Sequence, residues 1–446
     1  MTGFTILFYY RDMSDLKEIL KQIITSNQNR PDEEIIHRDL QIERIPKKAT
    51  VVIGVRRCGK TTLLDEYAQS LVASGIGKDR ICRIDFSDDR LVELGNGSPS
   101  VIADAYYELY PGNHNEKVYF FFDEIYHVKD WELFINRLQT TENCEVNITG
   151  SSAKMLVQET STELGGRKLG WELFCYSYRE FLRAKGEQET LQYSSEFKDR
   201  QSNLFNEYLQ IGGFPEAGQF QTERARNLFF QNTQNDIVYR DILLRHDISK
   251  PAALKTMVLL LFSMMGQPMS ITKLYQRLMG MRVEISKPLV TEYLEYIKET
   301  FAVYLVPIRS NNQAVRATND KKVFIADHAM AASVVGGLSF DYGHKMENIV
   351  FLHLRRNTPE VFYYRTASGF EVDFAVGTAD NIKLIQVCKD ISDEKTYVRE
   401  IRSLKEAMTE LKTKESLLIT LDHEETLTFK EGTIRILPIW KYLLSQ

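Results

Sequence analysis

One nine-residue stretch, Gly54-Val55-Arg56-Arg57-Cys58-Gly59-Lys60-Thr61-Thr62, constrains this chain more than any other. Before it, Thr50-Val51-Val52-Ile53 reads as a short buried strand; after it, Leu63 to Leu71 place apolar residues at helical spacing. A Gly-x4-Gly-Lys-Thr loop in that setting turns successive backbone N–H groups, and the positive end of the next helix, toward one phosphate-sized point. Gly54 and Gly59 let the backbone approach closely, and Arg57 and Cys58 complete the loop around the ligand. Lys60 brings a point charge to β- and γ-phosphates, the Thr61 hydroxyl completes the shell of a Mg2+ ion, and Thr62 lies toward the α-phosphate. The expected fold is therefore α/β, a parallel P-loop sheet with helices on both faces.

Hydrolysis, as opposed to binding, needs a second site. Val118-Tyr119-Phe120-Phe121-Phe122-Asp123-Glu124 is an apolar run ending in two acids, the pattern of a central parallel strand opening on a ligand crevice. Asp123 is expected to hold Mg2+ through water, and Glu124 to accept a proton from the attacking water. The strand Cys144–Thr149 ends in Gly150-Ser151-Ser152, making Thr149 and Ser151 candidates for sensing the γ-phosphate or positioning water. Arg167, after Gly165-Gly166, is a candidate for neutralising transition-state charge, in cis or from a neighbouring subunit; a surface arginine in a loop is the competing reading.

A chain of 446 residues is too long for one core and suggests two to four domains. Scattered cysteines (Cys58, Cys82, Cys144, Cys175, Cys388) suggest neither a disulfide framework nor a zinc site. Apolar runs are too short to span a bilayer and Met1–Tyr10 lacks a basic lead, so the expected location is cytoplasmic, without membrane contact. A net charge of −5 gives no general reason to bind polyanions. The pattern divides into an N-terminal helical extension (1–45), an ATPase domain (46–185), a helical linker (186–250), a winged-helix segment (251–330) and a C-terminal α/β domain (331–446). In the ATPase domain strands are expected near 50–54, 80–86, 118–122, 144–149 and 171–174, and helices near 60–74 and 99–109.

Together the phosphate loop, Phe-Phe-Asp-Glu-Ile, Ile148–Leu156, Leu-Gly-Gly-Arg (164–167) and Tyr-Ser-Tyr-Arg-Glu-Phe-Leu (176–182) resemble a prokaryotic AAA-type ATPase family with a C-terminal domain of unknown function. Tyr208–Glu216 and Asp236–Ile242 resemble it too. The resemblance implies ATP binding and hydrolysis with Mg2+, a winged-helix segment and a restriction-endonuclease-like C-terminal fold. Adenine over guanine follows mainly from this resemblance.

In the middle segment, Ser270 and Ser286 read as helix caps, with Pro288 in the first turn, and Phe301–Val306 with Lys321–Ile325 as a wing. Basic residues outnumber acidic ones nine to five between Ser270 and Ile325, yet the last helix carries Glu292, Glu295 and Glu299. Such a helix opposes the phosphate wall of a major groove, leaving Arg309, Arg316, Lys321 and Lys322 as non-specific DNA contacts. A structural or protein-binding wing, and a homo-oligomer, stay equally open.

The C-terminal order is helix 345–356, hairpin 361–365 and 370–376, strand 383–388, helix 394–411, strand 416–421. It resembles restriction-endonuclease-like cores, in which carboxylates grip Mg2+ and a lysine aligns water. Glu347 and Asp373 match the acids, but Gln386-Val387-Cys388 replaces the remaining acid and lysine, and Lys389 faces the wrong way. That domain is expected to be silent or weak in catalysis. The reading is a Mg2+-dependent ATPase driving rearrangement of the winged-helix and C-terminal domains; the alternative is an ATP-dependent DNA-binding or DNA-processing protein with a weakly active nuclease domain.

Overall fold

The computed structural model describes residues 13–445 except 97, 154–164, 193, 337–340 and 379–380. Part of the Ile148–Leu156 string, Leu164 and the Met1–Tyr10 stretch lie outside the described residues. The chain divides into two compact units, Met1–Gly54 with Gly59–Leu173, and Val55–Cys58 with Phe174–Gln446.

In the first unit strand and helix alternate as expected: α1 (Met13–Gln28), β1 (Ala49–Ile53), α2 (Lys60–Ala73), β2 (Ile81–Asp85), α3 (Ser100–Leu109), β3 (Val118–Asp123), α4 (Trp131–Thr141), β4 (Cys144–Gly150) and β5 (Lys168–Glu172). The five strands pair in parallel in the order β2-β3-β4-β1-β5. β1 and β3 are buried at every position, which is why both read as unbroken apolar runs. β5 starts three residues earlier than the Trp171–Phe174 expectation and ends at Glu172. Among the described residues it is a half-buried edge strand paired with β1, so its Lys-Leu-Gly start carries no apolar signal. α1 buries Leu16, Leu20, Ile23 and Ile24, a spacing that faces one side of a helix, each burial stabilising by roughly 1.5–3 kcal/mol. At its end Asn27 Nδ2 donates to Arg83 O (2.8 Å) and Gln28 Nε2 to Ile81 O (3.0 Å), both on edge strand β2.

The second unit opens with α5 (Tyr178–Ala184) under a capping box: Glu180 N donates to Ser177 Oγ (3.1 Å) and Ser177 N to Glu180 Oε2 (2.8 Å). α6 (Ser195–Ile211) and α7 (Glu223–Asp236) follow, and α7 continues into a π-helical turn, Ile237–Leu243. Next come α8 (Pro251–Ser263), β6 (Pro268–Met269), α9 (Ile271–Gly280), α10 (Lys287–Glu299), β7 (Val303–Val306), α11 (Gln313–Thr318), β8 (Lys321–Ile325) and α12 (His328–Val335). Ser270 and Ser286 cap α9 and α10 as the sequence indicated, accepting from Lys273 N (3.3 Å) and Leu289 N (3.4 Å). β6, β8 and β7 form an antiparallel three-stranded sheet.

The remaining elements are α13 (Tyr342–Asn357), β9 (Val361–Arg365), β10 (Glu371–Val376), β11 (Lys383–Val387), α14 (Glu394–Leu411), β12 (Glu415–Thr420), β13 (Glu425–Thr428), β14 (Thr433–Pro438) and α15 (Ile439–Leu444). They build a mixed sheet in the order β13-β14-β12-β11-β10-β9. Val372, Leu384, Leu404, Leu418, Ile434 and Ile436 form its buried core. β13, β14 and α15 go beyond the sequence expectation: β13 has four mostly exposed residues, and β14 ends in a proline.

Candidate active site

β1 and β3 end on the same side of the parallel sheet, with β4 between them. β1 leads to Gly54 and onward to Lys60 at the start of α2, and β3 delivers Asp123. Thr61 Oγ1 donates to Asp123 Oδ2 at 2.5 Å, so residues 62 positions apart meet and join the two motifs. Gly54 (φ 153°) and Gly59 (φ 101°) hold backbone angles that side chains resist. Lys60 is buried, and its Nζ donates to Gly54 O at 3.1 Å.

The other carboxylate oxygen, Asp123 Oδ1, accepts from the Thr149 hydroxyl, whose oxygen also accepts from Glu124 N (3.2 Å). Thr149 thus orients Asp123 and Glu124. Ser151 is fully buried, with its Oγ 3.3 Å from the Tyr126 hydroxyl. Burial is the largest influence on Asp123 and raises its pKa, with hydrogen bonds from Thr149 and Thr61 pulling the other way and Glu124 and Asp85 adding to the rise. A divalent cation at this carboxylate would offset that desolvation.

Glu124 takes a left-handed backbone (φ 53°), a strained choice for a residue with a side chain. Its Oε2 is buried and makes no hydrogen bond among the described residues. A desolvated carboxylate oxygen beside a Thr–Asp pair fits a role as acceptor for a water proton. Asp85, which the sequence reading passed over, is paired in register with Asp123. A cleft of about 310 Å3 carries Thr61, Asp65, Asp85, Asp88 and Asp123 on its walls, with Arg83 among them. Arg30 and Arg90 line it too, so its carboxylates stand beside guanidinium groups. The signal for Asp85 was there, an Ile-Asp-Phe at a strand end as in Phe-Asp-Glu.

Thr62, the expected α-phosphate contact, is exposed at the start of α2. Four residues of the loop sequence, Val55–Cys58, group with the second unit. Arg56 donates from Nε (3.0 Å) and Nη2 (2.8 Å) to the two oxygens of Asp241, a buried carboxylate on the π-helical turn that also accepts from Arg245 (2.8 Å). Arg57, left-handed at φ 66°, pairs with Glu216 (3.1 Å) and Asp236 (3.4 Å). Cys58 is fully buried.

Arg167 is not brought to this cluster within the chain. It immediately precedes Lys168, which pairs with Ala49 at the start of β1, whereas the phosphate loop leaves from the far end of that strand. Its exposed side chain donates to Asn136 Oδ1 on α4.

In the second unit the structure corrects one expectation about the wing. Lys322 is not a surface cation available to DNA: it is 2% exposed. Its Nζ lies 2.8 Å from Asp373 Oδ1, 3.1 Å from Glu371 Oε1 and 3.2 Å from Glu347 Oε2. Those carboxylates hold its pKa well above the ordinary lysine value against the opposing effect of burial. Gln386 Oε1 accepts from Asp373 N (3.0 Å) and its Nε2 donates to Glu400 Oε2 (2.8 Å); Asp373 Oδ2 accepts from Val387 N (2.9 Å). Lys389 sits over the Tyr342 ring, 4.7 Å from its centroid. Among the described residues no helix is long and apolar enough to cross a membrane.

Comparison with known proteins matches residues 46–182 to an AAA domain, 202–340 to a domain of unknown function, DUF8612, and 342–442 to another, DUF4143. The uncharacterized protein MJ1544 of Methanocaldococcus jannaschii is 30% identical over 443 residues, 97% of each chain. An uncharacterized Haemophilus influenzae protein is 30% identical over 345 residues, 77% of this chain and 83% of that one. Among solved structures, C. elegans PCH-2 gives a TM-score of 0.24 at 13% identity, covering 64% of this chain and 66% of that one. The Drosophila ORC structure with AT-rich DNA and Cdc6 gives 0.21 at 9% identity, covering 72% and 91%. The chain belongs to the same family as MJ1544, with an AAA domain at its head and DUF8612 and DUF4143 behind it.

Proposed function

We propose that this protein is a Mg2+-dependent ATPase whose nucleotide state rearranges its winged-helix and C-terminal domains. The observation that carries the reading is the Thr61–Asp123 hydrogen bond, supported by the desolvated Glu124 oxygen next to it. Lys60 would hold the β- and γ-phosphates, and Thr61 and Asp123 the Mg2+ ion, which when bound supplies charge neutralisation at the phosphates. Glu124 accepts a proton from water. Arg56 and Arg57, held by carboxylates of the helical segment, support a link between the loop sequence and the domains that move. Arg167 acts from a neighbouring copy of the chain, a role its exposure permits.

Phosphate release by wild type and Glu124→Gln, with ATP affinity measured alongside, tests this reading. Expected is a fall of roughly 10²–10⁴-fold with affinity kept. Negligible, equal rates in both proteins would leave a nucleotide-binding switch.

A second reading, ATP-dependent DNA binding or processing, draws on Arg316 and Lys321, which line a cleft of about 440 Å3 together with Phe362. Opposing it, α10 carries Glu292, Glu295 and Glu299, and Lys322 is withdrawn from the surface. Binding to linear and supercoiled DNA across a salt series separates the two, since phosphate contacts must weaken steeply with salt.

A further inference from the structure

We propose that Lys322 is an internal cation, its ammonium standing where a hard divalent metal ion would otherwise bind among Glu347, Glu371 and Asp373. The inference rests on the geometry of this centre and is independent of the ATPase reading. Three carboxylates from two elements, α13 and β10, converge on one point. Asp373 is buried and Glu347 and Glu371 are partly so, and carboxylates gathered in such a setting demand a positive charge at their centre. The chain supplies that charge from β8, a strand of a different sheet, 51 residues before Asp373. The ammonium contacts of 2.8, 3.1 and 3.2 Å leave the three oxygens only about 0.5 Å farther out than oxygens around Ca2+, which sit at about 2.3–2.6 Å.

The surroundings fix the carboxylates for this partner. Val387 N holds the second oxygen of Asp373, His344 Nδ1 lies 3.6 Å from the second oxygen of Glu347, and Arg365 Nη2 lies 3.1 Å from the second oxygen of Glu371. Each acid therefore presents one oxygen to the centre and has the other occupied. At the neighbouring position Gln386, an amide, adds no charge that would require a second cation. Among the described residues no set of His, Cys, Asp and Glu side chains is spaced to hold a metal as it stands, in keeping with carboxylates set at the distance an ammonium dictates. The centre needs no metal in this chain, and the lysine ties β8 to the C-terminal sheet by charge.

The test is calorimetric titration of Ca2+ into nucleotide-free full-length wild type, Asp373→Asn, Lys322→Met, and Lys322→Met with Asp373→Asn, with thermal unfolding followed in parallel. Wild type is expected to bind no Ca2+ in a manner that Asp373→Asn abolishes. Lys322→Met is expected to gain one Ca2+ site, at least roughly tenfold tighter than any in the double variant, with Ca2+ raising its Tm. Should Lys322→Met fail to fold alone, Lys322→Met with Glu371→Gln removes one acid along with the ammonium and carries the same titration. Asp373-dependent Ca2+ binding by wild type overturns the proposal, as does a folded Lys322→Met that binds none. Failure of both variants to fold in millimolar Ca2+ overturns it as well, since an ion that fits the position restores the charge balance.

Discussion

Replacing Gln386 by glutamate sets a second acid beside Glu400, and the hydrogen bonds around it indicate what this costs. The Gln386 amide oxygen accepts from Asp373 N, which a carboxylate can also do, but its Nε2 donates to Glu400 Oε2 at 2.8 Å. In Gln386→Glu two carboxylate oxygens face each other at that distance, both residues being buried. If both stay ionised, repulsion between charges about 4 Å apart costs about 4 kcal/mol at an effective dielectric of 20, and a charge-assisted hydrogen bond of about 1.5–3 kcal/mol is lost. Holding a shared proton instead costs about 1.4 kcal/mol for each pH unit above the ordinary glutamate range, hence about 5 kcal/mol at pH 8 and about 1 kcal/mol at pH 5. Arg399, bonded to Glu400 Oε1 at 3.0 Å, softens the repulsion, so about 3–5 kcal/mol at pH 8 is expected. The new carboxyl has its pKa raised by folding, so its penalty is absent at low pH and grows as pH rises through the unfolded value. Hydrogen exchange of peptides covering 371–376 and 383–387, corrected for intrinsic rate, reads this as protection that falls relative to wild type between pH 5 and pH 8. A pH-independent difference, or one under about 1 kcal/mol at pH 8, would refute the reasoning.

Further outcomes follow from other contacts. Asn348 is fully buried and clasps one residue of β8, accepting from Ile325 N (2.8 Å) and donating to Ile325 O (2.9 Å). Asn348→Leu strands both backbone groups and should cost about 2–5 kcal/mol in urea unfolding; a loss below about 1 kcal/mol contradicts the assignment. Asp241→Ala should destabilise by about 3–5 kcal/mol, and Arg56→Ala by less, because Arg245 still serves the carboxylate; the reverse order would place the stabilising charge on the arginine. Arg167→Ala should leave stability within about 0.5 kcal/mol of wild type, its side chain being exposed, while abolishing any rise of ATPase rate per chain with protein concentration. An unchanged concentration dependence would remove Arg167 from catalysis.

The meeting of Thr61 and Asp123 was legible because its information is local. Gly54, Gly59, Lys60 and Thr61 lie within one loop, and Asp123 and Glu124 end one apolar strand, so a parallel sheet with the right order suffices to bring them together. What Thr149 does was not legible, since its hydroxyl is committed by the neighbouring strand's register and not by its own turn. How Arg167 stands to the phosphate loop was not legible either, because the register of β5 on β1, and not the neighbouring glycines, sets it. Lys322 was read as a wing cation because burial of a lysine depends on three acids distant in sequence, and no period announces such a meeting. The helix 394–411 came through with its bounds unchanged, although Asp393, which caps it in the structure, had not been singled out. β13, by contrast, has neither length nor a buried face.

The two amides at the end of α1 carry a consequence for assembly. A parallel sheet has two margins, and at one of them Asn27 and Gln28 consume carbonyls of β2 that an incoming peptide would need. Deleting residues 13–28 would release those carbonyls of β2 and leave a border along which copies of the chain zip together.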